Sequence, residues 1–470
     1  MEIKSNQSEV PLAEVLAAAC PEGIRFGMAQ NGGREPLLVH NEDLLRHVLV
    51  IDPNETGKNA LLDCALAQQV TRGGGVIVID SGRDNRTIDS LARFSRTFGR
   101  ESDLLVINPF NPGVSNTYNL ILSGAPEVVA SQAMTTIPKG DSNPGADDYG
   151  KHAHHGLTVL VAAIRRVGLA YSLLDLAMFI LKPNAMMELL LSLEDSFPDS
   201  PEASDLSELL DRYRGSDGDI SHARLKENFG GIAGRLYMLG TGKLGQILNT
   251  YSPEVDLYTA IRENRLVYIA APGTADHLVA AAVRQMICID LQEALTKSLA
   301  VEKDSRSEDV PFMLVFGDAN VSDFPGLGGI LSRARSARVS TWLCARSLNE
   351  MEAVGSDLRE WAIGGTWNKA IFDPAGSGIA AFFPEYAGDL AGCSQAEQDS
   401  AQLAIRPAEL ETIHPQEFVL LQGASSIRRG VAIAIERSVD PAEKFTRSSV
   451  IRTYNKQPDG ADIFTRTSVV

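Results

Sequence analysis

Short apolar runs separated by polar loops dominate the chain, and many of these runs are rich in β-branched residues. The runs are HVLVI (47–51), GGGVIVID (73–80), DLLVINP (103–109), RLVYIAAP (265–272), PFMLVFGD (311–318), VSTWLCA (339–345) and KAIFD (369–373). Amphipathic segments with apolar residues at helical spacing lie between them, such as NALLDCALAQQVTR after the first run. Strands that alternate with helices favour a doubly wound, mostly parallel sheet, so the pattern predicts an α/β fold.

A second pattern occupies the middle of the chain, where strand signals disappear and Ala/Leu-rich helical periodicity takes over. The segments HGLTVLVAAIRRV, SLLDLAMFIL and NAMMELLLSLED belong to this region. We therefore predict an α/β domain with an all-α insertion. The expected divisions are a lead-in at 1–40, the first part of the α/β domain at 41–146, the insertion at 147–235, the second part at 236–440, and a polar tail at 441–470. Near the end, FVLLQG and GVAIAIE, separated by ASSIRR, predict a hairpin.

Composition narrows the class of protein. The 470 residues are 44% hydrophobic and 22% charged, which is typical of a folded globular chain, and the formal net charge is −17. That charge argues against a generally basic surface that coats DNA, although a local basic patch would be compatible with it. The five cysteines have no paired metal-site spacing, and no apolar run is long enough to span a membrane. We expect a cytoplasmic protein with reduced thiols and no metal centre.

The loop after the first strand has the position of a phosphate-binding loop. The usual pattern is G-x-x-x-x-G-K-[ST], in which backbone amides hold phosphates, Lys reaches the terminal phosphate and a hydroxyl binds Mg²⁺. Here the eight positions read DPNETGKN, from Asp52 to Asn59. Gly57 and Lys58 match the pattern, whereas Asp52 replaces the first glycine and Asn59 replaces the hydroxyl residue.

Each departure from the pattern has a physical consequence. Asp52 and Glu55 place two carboxylates in a loop that should attract a triphosphate, and unit charges about 4 Å apart at a partly exposed site interact by roughly 4 kcal/mol. Asn59 is larger than Ser or Thr and branches differently, which disfavours normal Mg²⁺ geometry. The predicted nucleotide-binding positions are Asp52, Thr56, Gly57, Lys58 and Asn59, with ATP and Mg²⁺ as the candidate cofactor.

An ordered set of segments resembles the TraD/TraG-type coupling proteins of conjugation and type IV secretion, which are relatives of the FtsK/HerA translocases. The set includes TGKNALLDCALAQQVTRGGGVIVID, LLVINPFNPGVSNTYNLILSGAPEVVA, NPGADDYGKHAHHGLTVLVAAI, LGQILNTYSPEVDLYTAI, ILSRARSARVSTWLCARSL and GGTWNKAIF, over residues 40–375. The resemblance implies a RecA-like motor domain with an inserted all-α domain. Family members usually carry N-terminal membrane helices, and this sequence shows none, so we expect any attachment to the inner membrane to depend on a partner.

The resemblance also implies catalytic positions outside the loop. The second catalytic element should be an apolar strand that ends in Asp-Glu, where Asp positions Mg²⁺ and Glu activates water. The matching strand is FMLVFGDAN, and in either register Asp318 is the one carboxylate present. Arg346 takes the place of the glutamine that senses the γ-phosphate. Arg335 matches a family arginine near the subunit boundary, a possible arginine finger.

Other candidates have a simpler structural interpretation. His152, His154 and His155 form a KHAHH cluster, for which we favour solvated histidines at the start of a helix over a metal site. A row of arginines could line a nucleic-acid channel or form a solvated helix surface: Arg83, Arg86, Arg93, Arg96 and Arg100. The tryptophans Trp342, Trp361 and Trp367 are expected to be packing residues.

Three hypotheses follow from these residues. The first is a degenerate ATPase that acts as a scaffold or regulator in a conjugation-type secretion apparatus and binds an intact coupling ATPase or other subunits. The second is a weakly active ATP-driven DNA or protein translocase that uses Lys58 and Asp318. The third is a stand-alone DNA-binding module.

Overall fold

The computed structural model describes most of the chain. The described residues are 9–17, 19–30, 35–80, 85–109, 111–137, 144–216, 218–271, 277–300, 310–317, 326–352, 356–372, 414–423, 426–436 and 445. They separate into two compact units. The first draws on residues within 1–105, 258–273 and 294–446, and the second on residues within 106–257 and 274–293.

The strands of the described residues form one mixed sheet of 11 strands. The strands are β1 (Gly23–Ala29), β2 (Pro36–His40), β3 (Val48–Ile51), β4 (Val76–Asp80), β5 (Leu104–Ile107), β6 (Leu266–Ala270), β7 (Phe312–Phe316), β8 (Val339–Ala345), β9 (Asn368–Phe372), β10 (Glu417–Gln422) and β11 (Ser426–Val431). Their order across the sheet is β2-β1-β11-β10-β9-β3-β8-β7-β4-β6-β5.

The middle of the sheet is parallel. Strands β6, β4, β7, β8, β3 and β9 pair parallel in that order, whereas β10, β11, β1 and β2 continue the sheet with antiparallel pairs. Every residue of β3, β4 and β7 is buried, as expected for strands covered on both faces. The predicted mostly parallel α/β sheet is therefore confirmed, and the strands of the lead-in pair within the same sheet.

Helices cover the sheet strands and make up most of the second unit. They are α1 (Leu12–Ala17), α2 (Asn41–Leu44), α3 (Thr56–Thr71), α4 (Arg86–Thr97), α5 (Pro126–Met134), α6 (Pro144–Arg166), α7 (Leu173–Leu181), α8 (Pro183–Ser196), α9 (Pro201–Asp211), α10 (His222–Leu239), α11 (Gly242–Leu248), α12 (Leu257–Arg262), α13 (His277–Leu299), α14 (Leu327–Ala334), α15 (Leu348–Glu352) and α16 (Ser356–Gly364). Within the described residues no single helix is long and apolar enough to cross a membrane, and one bent pair, α7 with α8, meets the length and composition criteria.

Buried polar groups fix the entry into the helical region of the second unit. The amide of Asn119 donates to the carbonyls of Tyr171 and Thr250 at 2.8 and 2.7 Å. The Tyr171 hydroxyl donates to the carbonyl of Ile121 at 2.9 Å and accepts from the guanidinium of Arg165. These bonds satisfy backbone carbonyls that would otherwise be buried without donors. Ser172 then begins α7 with a capping box in which Asp175 is the reciprocal partner.

The C-terminal hairpin is tighter than the sequence pattern predicts. Its second strand begins at Ser426 and ends at Val431, so it includes Arg428 and Arg429 of the predicted connecting loop. Gly423 has a φ of 55°, a conformation that suits glycine and allows the chain to turn directly after β10. The predicted strand GVAIAIE is therefore wrong beyond its first two residues.

Candidate phosphate-binding loop

The loop between β3 and α3 lies at the carboxyl edge of the parallel strands. Its first residue, Asp52, continues the β3 ladder, because its backbone amide donates to the carbonyl of Ala345 in β8 at 3.0 Å. Helix α3 follows at Thr56 and runs for 16 residues, with a buried face of Ala, Leu and Val. This strand–loop–helix order is the arrangement in which backbone amides and a helix N-terminus hold phosphate groups.

The side chain of Asp52 fills the interior of the loop. Its Oδ1 accepts from the backbone amide of Asn54, and its Oδ2 accepts from the backbone amide of Lys58, both at 2.9 Å. Asp52 is only 1% exposed. The amide of Lys58 belongs to the first turn of α3, where the helix itself supplies no acceptor. A carboxylate of the chain thus occupies donors that an oxyanion would use in a phosphate-binding loop.

Glu55 ties the outside of the loop to the end of β8. Arg346 Nε donates to Glu55 Oε1 at 2.6 Å, and the side chains are 50% and 30% exposed respectively. Glu55 has a φ of 62°, which is uncommon for a residue with a side chain. The two loop carboxylates therefore have different partners: Asp52 accepts from backbone amides, and Glu55 pairs with Arg346, the residue that we predict at the sensor position.

The remaining loop residues are constrained by packing. Gly57 lies so close to Phe372 and Pro415 that a Cβ atom there would be 2.2 Å from the Phe372 ring and 2.6 Å from the Pro415 carbonyl oxygen. Lys58 is 1% exposed, an unusual degree of burial for a lysine. The Thr56 hydroxyl donates to the carbonyl of Asn54 at 3.3 Å, and Asn59 is half-buried. The structure brings all five predicted loop positions together.

Asp318, the predicted catalytic carboxylate, lies outside the described residues. Strand β7 ends at Phe316 and is followed by Gly317, at the same sheet edge as the loop. Asp80, at the end of β4, lies beside this position and is 4% exposed; a Cβ on Gly317 would be 3.7 Å from its carboxyl carbon. Asp80 has no role in the predicted site, although an Asp that ends a buried parallel strand is a usable sequence signal.

Arg335 lies at the opposite end of β8 from the loop. It follows α14 and precedes β8, whereas Arg346 follows β8. Seven strand residues separate the two edges by roughly 20 Å, given a rise of about 3.3 Å per residue. Arg335 is exposed and does not contribute to the phosphate loop of its own chain. A role as an arginine finger would require the site of a neighbouring subunit.

His47 lies directly before β3, and its ring contacts α14 and β8, the two elements on either side of Arg335. Its Nδ1 accepts from the amide of Thr341 at 3.1 Å, so the ring is the neutral tautomer whose Nε2 donates to the carbonyl of Leu331 at 2.9 Å. Burial, with a smaller contribution from the positive charge of Arg335, lowers the pKa of His47 from 6.5 to about 4. The ring acts as an uncharged bridge between α14 and β8.

The arginine row makes contacts within the first unit. Arg86 pairs with Asp63, Arg93 donates to the carbonyl of Glu436, and Arg96 pairs with Glu101. Arg100 pairs with Asp103 and donates to the carbonyls of Gly74 and Asn264. Arg83 lies outside the described residues. These contacts attach α4 and Arg100 to neighbouring segments, and the four described arginines are half-buried rather than fully solvated.

The histidine cluster shows no metal-ligand geometry among the described residues, and no group of three or more His, Cys, Asp or Glu side chains converges there. The three histidines lie inside α6 and not at its start, because the helix begins at Pro144. His154 forms a hydrogen bond through Nε2 with the Ser131 hydroxyl at 3.0 Å.

Two of the tryptophans differ in burial. Trp342 is fully buried, as expected for a packing residue, whereas Trp361 is 50% exposed.

Two known proteins resemble this chain, one in part of its sequence and one in its fold. A 132-residue part of the chain is 27% identical to the type 4 coupling protein DotL of Legionella pneumophila, a match that covers 26% of this chain and 16% of DotL. The fold is similar to the bacterial conjugative coupling protein TrwB in complex with the non-hydrolysable ATP analogue ADPNP. That likeness has a TM-score of 0.55 and 14% identity and covers 92% of this chain and 95% of TrwB. The chain has the fold of TrwB and shares a short stretch of similar sequence with DotL.

Two further solved structures have a similar fold. An unbound form of TrwB gives a TM-score of 0.54 with 13% identity over 91% of this chain and 92% of that one. VirB4 of Thermoanaerobacter pseudethanolicus gives 0.50 with 16% identity over 90% and 98% of the two chains. No family model matches the sequence. The chain therefore shares the TrwB fold with little sequence identity.

Proposed function

We propose that this coupling protein-like chain is a non-hydrolysing relative of the motor ATPases, which acts as a scaffold or regulator in a conjugation or type IV secretion apparatus. The observation that carries the proposal is the Asp52 carboxylate inside the phosphate loop, hydrogen-bonded to the amides of Asn54 and Lys58. A nucleotide would have to displace this carboxylate and accept its negative charge as a close neighbour.

The energetic cost of that displacement is large. Two unit charges about 4 Å apart interact by roughly 4 kcal/mol at an effective dielectric constant of 20, and a triphosphate carries several charges. The loop amides would add little to the affinity for nucleotide, because their charge-assisted hydrogen bonds to phosphate would replace those that they already make to Asp52. Lys58 remains in the loop, but one buried cation does not offset Asp52 and Glu55 together.

The metal side of the site is also altered. Asn59 stands where a Ser or Thr hydroxyl would bind Mg²⁺, and Mg²⁺ requires near-ideal octahedral geometry. Arg346 stands at the sensor position and is paired with Glu55. The phosphate loop carries a carboxylate where the pattern has glycine, and the metal-ligand and sensor positions lack the hydroxyl and the glutamine that hydrolysis would use. The three changes together support loss of turnover more strongly than any single one.

ATP turnover by the purified chain tests the proposal. We expect no phosphate release above background at saturating ATP with Mg²⁺, and the same result for Lys58→Ala. Lys151→Ala, which removes an exposed lysine of α6, is the matched control. A measurable rate that Lys58→Ala abolishes and Lys151→Ala preserves would refute the proposal.

One observation favours a weakly active ATP-driven translocase as the second candidate. Asp80 supplies a buried carboxylate next to Gly317 at the sheet edge, where the sequence motif offers Asp318 alone. In this alternative Asp80 would act together with Asp318 in holding Mg²⁺ or orienting water. Its test is the same assay with Asp80→Asn, which should abolish any turnover that Lys58→Ala also abolishes.

The proposed partners are an intact coupling ATPase or other subunits of the secretion apparatus, reached in the cytoplasm or at the inner membrane. Exposed Arg333 and Arg335 and half-buried Arg338 lie around the end of α14, on the segment that resembles the family's subunit boundary. A paralogue retained without catalysis is expected to retain contacts. Arginine is one of the residue types enriched among the few that contribute most of the binding energy of an interface.

A further inference from the structure

Two carboxylates contact the phosphate loop from opposite sides. Asp52 accepts from backbone amides inside the loop, and Glu55 accepts from Arg346 outside it. We infer that the loop is internally liganded: the Asp52 carboxylate takes the place of a bound oxyanion at the first turn of α3, and Arg346 fixes the loop from outside through Glu55. This inference rests on the proposed function, since it states how the same site is kept closed. It adds that the closed loop is ordered by the chain itself.

The donors of the loop show why Asp52 acts as a ligand. The first amides of a helix have no acceptor within the helix and are the groups that bind anions. Here the amide of Lys58 donates to Asp52, and the amide of Asn59 donates to the carbonyl of Glu55 at 3.0 Å. The contact from Asp52 to Asn54 spans two residues and is a common local turn, whereas the contact to Lys58 spans six and crosses the loop.

The Glu55–Arg346 pair completes the closure. Glu55 precedes α3 with a positive φ, a backbone conformation that a glutamate adopts only when its surroundings hold it there. Arg346 supplies that restraint from the end of β8, the same strand whose Ala345 carbonyl accepts from the Asp52 amide. Both ends of the loop are therefore attached to one strand, and no external ligand is required for either attachment.

Inorganic pyrophosphate without Mg²⁺ is the probe that tests the internal ligand. By calorimetry the wild-type chain should bind no pyrophosphate at millimolar concentration, because Asp52 holds the donors. Asp52→Gly should bind it at least tenfold more tightly than the wild type. Asp52→Asn should gain less, because its amide oxygen still accepts one hydrogen bond. Lys58→Met in the Asp52→Gly background should remove the binding, which would locate the anion in the loop.

Hydrogen exchange of the wild-type chain provides a measurement that does not depend on any variant folding. The amides of Asn54 and Lys58 should exchange slowly without ligand, and pyrophosphate should not slow them further. In Asp52→Gly both amides should exchange faster, and pyrophosphate should restore their protection. In Asp52→Asn only the amide that loses its acceptor should exchange faster.

Two results would overturn the internal ligand. One is pyrophosphate-dependent protection of these amides in the wild type. The other is an Asp52→Gly variant that folds, keeps both amides protected and binds no pyrophosphate. The two proposals fail separately: pyrophosphate binding by a wild-type chain that does not turn over ATP overturns the internal ligand alone, whereas Lys58-dependent turnover overturns the proposed function.

Discussion

The neutral bridge at His47 predicts a specific loss of stability in acid. Its pKa is about 4 in the folded chain and about 6.5 in the unfolded chain. Between these values the unfolded chain binds a proton that the folded chain does not, so the free energy of unfolding rises with pH in this window. The contribution is complete above pH 6.5 and is lost as the pH falls to 4.

The size of the effect follows from the shift. A difference of about 2.5 pKa units, at 1.36 kcal/mol per unit, corresponds to about 3 kcal/mol lost between pH 7 and pH 4. Protonation would place a hydrogen on Nδ1 against the amide of Thr341, which already donates to that atom. The carbonyl bond from Nε2 to Leu331 would remain.

Urea unfolding at several pH values between 7 and 4 measures this contribution. His47→Gln should be less stable than the wild type at pH 7, and the difference should shrink by about 3 kcal/mol as the pH approaches 4. His155→Gln, at an exposed position of α6, is the matched control and should keep the wild-type slope. Equal slopes for the wild type and His47→Gln would refute the assignment of a neutral buried ring.

Three further predictions address the loop, the arginine segment and the sheet. Asp52→Gly with Glu55→Ser and Asn59→Thr should create Mg²⁺-ATP binding, detectable by calorimetry, because two negative charges are removed and a hydroxyl ligand is added; no binding by the folded triple variant would show that the pocket is closed elsewhere. Arg335→Glu should weaken capture of an intact coupling ATPase by at least tenfold in a pull-down, with Arg224→Glu on α10 as control, and unchanged capture would remove Arg335 from the interface. Burial lowers the pKa of Lys369 to about 8, so the free energy of unfolding should rise from pH 8 to 10.5 in the wild type and stay flatter in Lys369→Met; parallel curves would contradict this.

The phosphate loop shows what a sequence pattern can predict. A strand that is buried on both faces has apolar residues in succession, and the sequence of β3 shows such a run. Gly57 and Lys58 mark the start of the helix that follows. Residue types therefore predict both elements and the loop between them. The pattern also places Asp52 at the first glycine position. It cannot show that this side chain turns inward to accept from Lys58, since that depends on the three-dimensional path of the loop.

Other features depend on contacts that residue spacing does not contain. The spacing of the arginines in and after α4 fits a charged helix face, yet Arg86 and Arg100 find acceptors far away in sequence, at Asp63 and at the carbonyl of Asn264. Asp80 acquires its position beside Gly317 only because β4 and β7 are neighbours in the sheet. β11 begins at Ser426, directly after the turn that Gly423 starts, whereas the polar residues ASSIRR predict a longer loop.

Binding of Mg²⁺-ATP to the purified wild-type chain is the measurement that tests the central claim most directly. Calorimetry with and without Mg²⁺ should detect no binding at micromolar nucleotide concentrations, because the Asp52 carboxylate already occupies the amides of Asn54 and Lys58. Micromolar binding that requires Mg²⁺ and disappears in Lys58→Ala would contradict the account and show that the loop opens for nucleotide.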